Sequence, residues 1–267
     1  MERSAPIGVF DSGIGGLTVV RELMRQLPCE SIIYFGDTAR VPYGPKSPDT
    51  VLRYSREIAD FLGEQGVKAI VVACNTATAH ALPALREESK IPVLGVIEPG
   101  ARAAVAATKT NRVGVIGTAG TIKSGAYEKE IKRLVPDTFV FSQSCPLFVP
   151  LIEEGWTDDD ATRMIADRYL TPVADAKTDT LVLGCTHYPL LKSVIGRVVG
   201  RDVRLIDSAE ETARETAQTL RSHKLDAEQS DGARYRFIAS DAPEVFLDIG
   251  QRFLGSSIDR VETITLG

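Results

Sequence analysis

AIVVACNT at 69–76 and TLVLGCTH at 180–187 decide how this chain is read. Each is a short apolar run that ends in a cysteine and passes into hydrogen-bonding residues. A run apolar on both faces fits an interior strand of a parallel sheet, which helices cover on both sides. Further matches keep the same order along the chain. IGVFDSGIGGLT (7–18) resembles VGVIGTAGTIKS (113–124), SIIYFGD (31–37) resembles TFVFSQS (138–144), and ARAAV (101–105) resembles ARETA (213–217). The offset drifts slowly, from 106 to 112 residues, so the matches describe a duplicated unit rather than a chance likeness of apolar strands.

Two more runs, PVLGVI (92–97) and VRLID (203–207), complete four candidate strands in each half. Segments of helical period lie between them. In SPDTVLRYSREIADFLGEQG (47–66), Val51, Leu52, Ile58, Phe61 and Leu62 fall mainly on one face, and Ser47, Pro48 and Asp49 provide a helix start. Alternating strands and helices predict an α/β fold. The expectation is two similar pseudo-symmetric lobes, each a largely parallel sheet flanked by helices, with the active site in the cleft between them. The lobes would comprise residues 1–97 plus 208–267, and 98–207. The tail, through the polar stretch 222–234 to YRFIA (235–239) and PEVFLDIGQRFLG (243–255), is expected to pack on the first lobe.

The 267 residues carry 31 Lys and Arg against 36 Asp and Glu, a net charge of −5, with no basic stripe to indicate a nucleic-acid partner. No apolar stretch is long enough for a transmembrane helix or the core of a signal peptide. Four scattered cysteines, Cys29, Cys74, Cys145 and Cys185, do not make a disulfide framework, and no CxxC pair suggests a metal. A reduced, cytoplasmic protein is expected.

In open α/β sheets ligands bind beyond the carboxyl ends of the strands. Small polar residues cluster there: Asp11-Ser12-Gly13, Cys74-Asn75-Thr76, Thr118 to Thr121, and Cys185-Thr186-His187. Such turns, leading into helices, offer N–H groups to an anion. The loop DSGIGG is neither GxGxxG nor a Walker A loop, and by itself reads as a tight turn. A lone strand-end cysteine is ordinarily an inert apolar residue, which is the reading kept for Cys29 and Cys145. Cys74 and Cys185 occupy equivalent places in the two halves. Two opposed thiols suit removal of a proton from one face of a carbon and its return on the other. The thiolate needs a helix N-terminus or a nearby base, and Asp11 and His187 are placed to assist.

VFDSGIGGLTV (9–19), VPYG (41–44), ACNTA (73–77), GVIGTAGT (114–121) and LGCTHYPLL (183–191) closely resemble the glutamate racemases, of the cofactor-independent aspartate/glutamate racemase superfamily. The resemblance runs from residue 7 to about 220; the N-terminus and the tail carry no motif. It implies interconversion of L- and D-glutamate without pyridoxal phosphate or metal, supplying D-glutamate for peptidoglycan, in an enzyme that is often a homodimer. It also implies Cys74 and Cys185 as the acid/base pair, Asp11 assisting the first and His187 the second. Glu153, in PLIEEG (150–155), resembles an acidic residue the family places near that histidine; the plain alternative is a solvated helix carboxylate. Substrate contacts would come from Asp11, Ser12, Tyr43, Gly44, Asn75, Thr76, Thr118, Thr121, Thr186 and His187. A racemase of aspartate or hydantoins, a decarboxylase of similar fold, and a non-catalytic binder of small anions are the competing readings. A redox dithiol would show closer spacing than the 111 residues separating these thiols.

Overall fold

The computed structural model, which describes residues 2–228 and 232–266, makes every one of the apolar runs a strand. They are β1 (Ile7–Asp11), β2 (Ile32–Gly36), β3 (Ala69–Val72), β4 (Val93–Gly95), β5 (Arg112–Gly117), β6 (Phe139–Ser144), β7 (Thr180–Gly184), β8 (Arg204–Asp207) and β9 (Tyr235–Ala239). A tenth, β10 (Val261–Thr263), was not expected. It has three residues, none buried, at a sheet edge, and so leaves no apolar run to read. Of the polar stretch 222–234, residues 229–231 lie outside the described residues.

The chain divides into two compact units, Met1–Val96 with Ala209–Gly267, and Ile97–Ser208. The first holds a six-stranded sheet in the order β10-β9-β2-β1-β3-β4, and the second a four-stranded sheet in the order β6-β5-β7-β8. Every ladder among the described residues is parallel. β2-β1-β3-β4 and β6-β5-β7-β8 are one topology used twice, the same repeat seen in the sequence. The tail enters the first sheet through β9, which pairs with β2.

Local chemistry fixes the elements. The helix Pro48–Glu64 begins at Ser47, whose hydroxyl accepts the Thr50 N–H at 3.3 Å, with Pro48 at its first position. It buries Val51, Ile58 and Leu62 in a core with Phe10, Phe35 and Val72. Full burial of each such side chain contributes about 1.5–3 kcal/mol. β1, β3, β5 and β7 are interior strands, almost wholly buried along their length, whereas the edge strand β6 leaves Phe139 exposed.

In a doubly wound sheet the crevice for a ligand opens where successive connections leave in opposite directions. In the first unit that point lies between β1 and β3, and in the second between β5 and β7. The end of β1 is fixed there by its neighbours: the Ala73 N–H donates to the Phe10 carbonyl and the Asp37 N–H to the Asp11 carbonyl. The turn that follows must be thin. A Cβ on Gly16 would lie 2.6 Å from Asp11 Cβ and 2.9 Å from the Tyr34 hydroxyl, and one on Gly36 would lie 2.4 Å from the Gly13 carbonyl oxygen. Gly16→Ala should therefore lower the unfolding free energy by about 1–3 kcal/mol, the usual cost of overpacking. Urea denaturation measures it, and an unchanged midpoint would contradict this packing.

Candidate active site

In the first unit, Cys74 stands one residue beyond Ala73 at the end of β3 and caps the 14-residue helix Asn75–Glu88. Its sulfur accepts the Ala77 N–H at 3.5 Å. The free N–H groups and dipole of a helix N-terminus favour negative charge, so this position stabilises a thiolate. When protonated, the thiol donates to the Ser12 hydroxyl at 3.7 Å. Asp11, the last residue of β1, is fully buried, and its Oδ2 accepts the Gly13 N–H at 3.1 Å. Asn75 and Thr76 form the buried first turn of the helix. Cys74 itself keeps only 6% of its surface exposed.

Tyr43 is also buried, and its hydroxyl donates to the Asp37 carboxylate; Gly44 follows, half-buried. Asp37 accepts in addition from the Ser240 hydroxyl at 3.0 Å and from Arg40 Nε at 2.8 Å. The VPYG segment is thus tied to the end of β2 and to the tail. Burial, then the Asp37 carboxylate, push the Tyr43 phenol far up, so it remains a neutral donor.

In the second unit, Cys185 follows β7 but does not cap a long helix. A four-residue 3₁₀ turn, Tyr188–Leu191, comes next. The thiol has a different neighbour: Cys185 Sγ lies 3.9 Å from His187 Nδ1, and the opposite ring nitrogen, Nε2, lies 3.0 Å from Glu153 Oε1. Glu153 ends the helix Phe148–Glu153 with its side chain about a third exposed. Burial alone pulls the His187 imidazolium down. Hydrogen bonds to Cys185 and Glu153, with the negative charge of both, outweigh burial and raise it to about 10. His187 is therefore a cation at neutral pH, which donates to Glu153 through Nε2 and presents positive charge to the Cys185 sulfur. The Thr186 hydroxyl lies 3.4 Å from the same Nδ1.

Thr118 caps the short helix after β5, its hydroxyl accepting the Thr121 N–H at 3.3 Å and lying 3.1 Å from the Thr121 hydroxyl. Cys145, beyond β6, is wholly buried, and burial followed by the charge at Cys185 pushes its thiol well up, out of use as a base. Among the described residues no group of three or more His, Cys, Asp or Glu could hold a metal ion. No described helix is long and apolar enough to cross a membrane. The predicted residues of the first unit thus gather at the ends of β1, β2 and β3, and those of the second at the ends of β5 and β7, with Glu153 reaching His187 from a helix 34 residues earlier. Sequence reasoning missed Asp37 and Tyr34. Asp37 reads as one more polar residue before a turn, and Tyr34 as one more large residue in a buried strand.

Likeness to known proteins extends over nearly the whole chain. The model of the Asp/Glu/hydantoin racemases matches residues 7–216. The chain belongs to this family. Within it the chain groups with the glutamate racemases. It is 56% identical to the glutamate racemase of Geobacter metallireducens, over 97% of this chain and 96% of that protein. Among solved structures, a glutamate racemase isoform of Bacillus anthracis superposes with a TM-score of 0.95 at 44% identity, covering 98% of both chains. The Francisella tularensis glutamate racemase, solved in complex with D-glutamate, gives 0.93 at 41% identity, again over 98% of both. Family membership makes the chain an isomerase with the doubly wound parallel fold described above.

The ion pair on His187 has a measurable consequence. Its raised pKa contributes stability that is complete below the ordinary histidine value near ~6.5 and is lost as pH rises through about 10. Glu153→Gln removes the charge from that hydrogen bond and should lower the His187 pKa by roughly one to two units. Imidazole chemical shifts across a pH titration report it, and an unmoved midpoint would contradict the ion pair.

Proposed function

We propose that this chain interconverts L- and D-glutamate by two-base proton transfer, with Cys74 and Cys185 on opposite faces of the α-carbon. One cysteine, as thiolate, takes the α-proton and becomes a thiol; the other, starting as a thiol, donates its proton to the opposite face and becomes a thiolate. The reverse reaction exchanges the two roles, and no net proton or electron is consumed. The observation that carries this reading is that each thiol has its own means of stabilising the ionised form. Cys74 has the Ala77 N–H and a helix N-terminus, and Cys185 has the His187–Glu153 pair.

The α-proton of an amino acid is far less acidic than a thiol, so the developing carbanion must be met by preorganised donors in a site that excludes water. Asp11, Ser12, Tyr43, Gly44, Asn75, Thr76, Thr118, Thr121, Thr186 and His187 are proposed to bind the zwitterionic dicarboxylate. Asp11 assists Cys74, and His187, held by Glu153, assists Cys185. In this reading neither pyridoxal phosphate nor metal takes part: the thiols move the proton, and the donors meet the charge left on carbon. A cytoplasmic homodimer that supplies D-glutamate for peptidoglycan is proposed with it, supported by likeness to the glutamate racemases.

Cys74→Ser and Cys185→Ser test the assignment. General acid/base groups contribute roughly 10²–10⁴-fold, and each variant should lose at least that much racemisation in both directions while keeping its far-UV dichroism. Either variant turning over glutamate at near the parental rate would sink the two-base reading. Faster turnover of aspartate than glutamate by the parent chain would replace the substrate.

A further inference from the structure

Tyr34 sits in the middle of β2, fully buried, with Phe246 beside it at 5.9 Å between ring centroids. Its hydroxyl does not end in the apolar core. It donates to the Gly13 carbonyl at 2.8 Å and receives a hydrogen bond from the Gly16 backbone. One phenol thus bridges both ends of the turn Gly13–Gly16. Gly13 in turn donates its N–H to the Asp11 carboxylate, and Ser12, between them, accepts from the Cys74 thiol. The phenol is kept neutral, pushed well above its ordinary value by burial and then by the charges at Asp11 and Cys74. A neutral donor here holds the turn without adding charge beside the thiol.

We infer that Tyr34 is a positioning residue for the Cys74 half of the reaction, clamping the glycine-rich turn so that Asp11 and Ser12 stay aligned on the Cys74 sulfur. The inference rests on the two-base reading above. Removing the hydroxyl leaves a buried carbonyl and a buried N–H without their partner, and the turn must shift to recover them. The effect falls on one thiol only. Cys185 lies at the end of a different sheet, with His187 and Glu153 as its own support.

The test is Tyr34→Phe, read by primary deuterium isotope effects on kcat/KM with α-deuterated L- and D-glutamate as substrates. If proton transfer at Cys74 slows, that step becomes more rate-limiting in both directions. The isotope effect then rises for the enantiomer whose deuteron Cys74 removes. It falls for the other, whose deuteron Cys185 removes before Cys74 delivers a solvent proton. Opposite movements of the two effects, with kcat reduced several-fold, are expected. Effects that stay put or move together would overturn the inference. Phe246→Leu removes the neighbouring ring but leaves the hydroxyl, so it should lower the melting temperature without splitting the isotope effects; a split there too would make Tyr34 a packing residue and overturn the assignment. Should Tyr34→Phe fail to fold, fluorotyrosine placed at position 34 keeps the ring and changes only donor strength. The same split is expected of it, and an unsplit result overturns the inference. If the parent chain itself does not racemise glutamate, the two-base reading fails first and the clamp falls with it; an active parent with unsplit variants rejects the clamp alone.

Discussion

The proposed two-base reaction depends on one constraint: a sulfur anion must be held away from water. Both Cys74 and Cys185 are buried, where any charge is costly unless a donor or an opposite charge meets it. Each unit meets the cost with what its own connection offers. After β3 the chain enters a 14-residue helix, and the cysteine takes the capping position, where the end of a helix acts as roughly half a positive charge. After β7 the chain enters a 3₁₀ turn capped by His187 rather than by the cysteine, and the His187 imidazolium stands in for the dipole. That cation is itself buried, and hydrogen bonds to Cys185 and Glu153 hold its charge. In the proposed reaction, two units of one topology thus reach the same chemical end by different electrostatics.

The difference also divides the supporting residues. On the Cys74 side the parts are uncharged or backbone groups around a thin turn, together with the Asp11 carboxylate that accepts the Gly13 N–H. Gly16 and Gly36 allow the turn to lie against β1 and β2, and the Tyr34 hydroxyl reaches it from the strand beneath. On the Cys185 side the support is an ion pair whose members lie 34 residues apart in sequence. Thermal or chemical disturbance of the helix Phe148–Glu153 would act on the Cys185 thiol through that pair.

Much of the fold was legible because interior parallel strands must be apolar on both faces. The interior runs IGVF, AIVVAC, RVGVIGT and TLVLGC stand as β1, β3, β5 and β7, and the less buried apolar runs beside them fill the remaining places up to β9. Duplication made the order legible as well, since the cysteines fall at matching strand ends. β10 was not, because a three-residue edge strand buries too little to shape its sequence. In the candidate site, the placement of Asp11, Cys74, Cys185 and His187 at strand ends was legible, because polar residues closing an apolar run mark where a strand stops. It was not legible where a partner arrives from elsewhere in the chain. Nothing near Tyr34 signals that its hydroxyl meets Gly13, and nothing near Asp37 signals Ser240, 203 residues away. For Glu153 the residues alone showed only an acidic pair ending a short apolar helix, and its distance to His187 comes from the fold.

The most direct test of the central claim is a time course with L-glutamate in D₂O, following the α-hydrogen of substrate and product separately. Two bases on opposite faces, each exchanging its proton with solvent, predict D-glutamate that carries deuterium from the first turnovers, while the remaining L-glutamate still carries hydrogen. D-Glutamate that retained the original α-hydrogen, or deuterium entering the recovered L-glutamate as fast as the product, would contradict that account and indicate a single base.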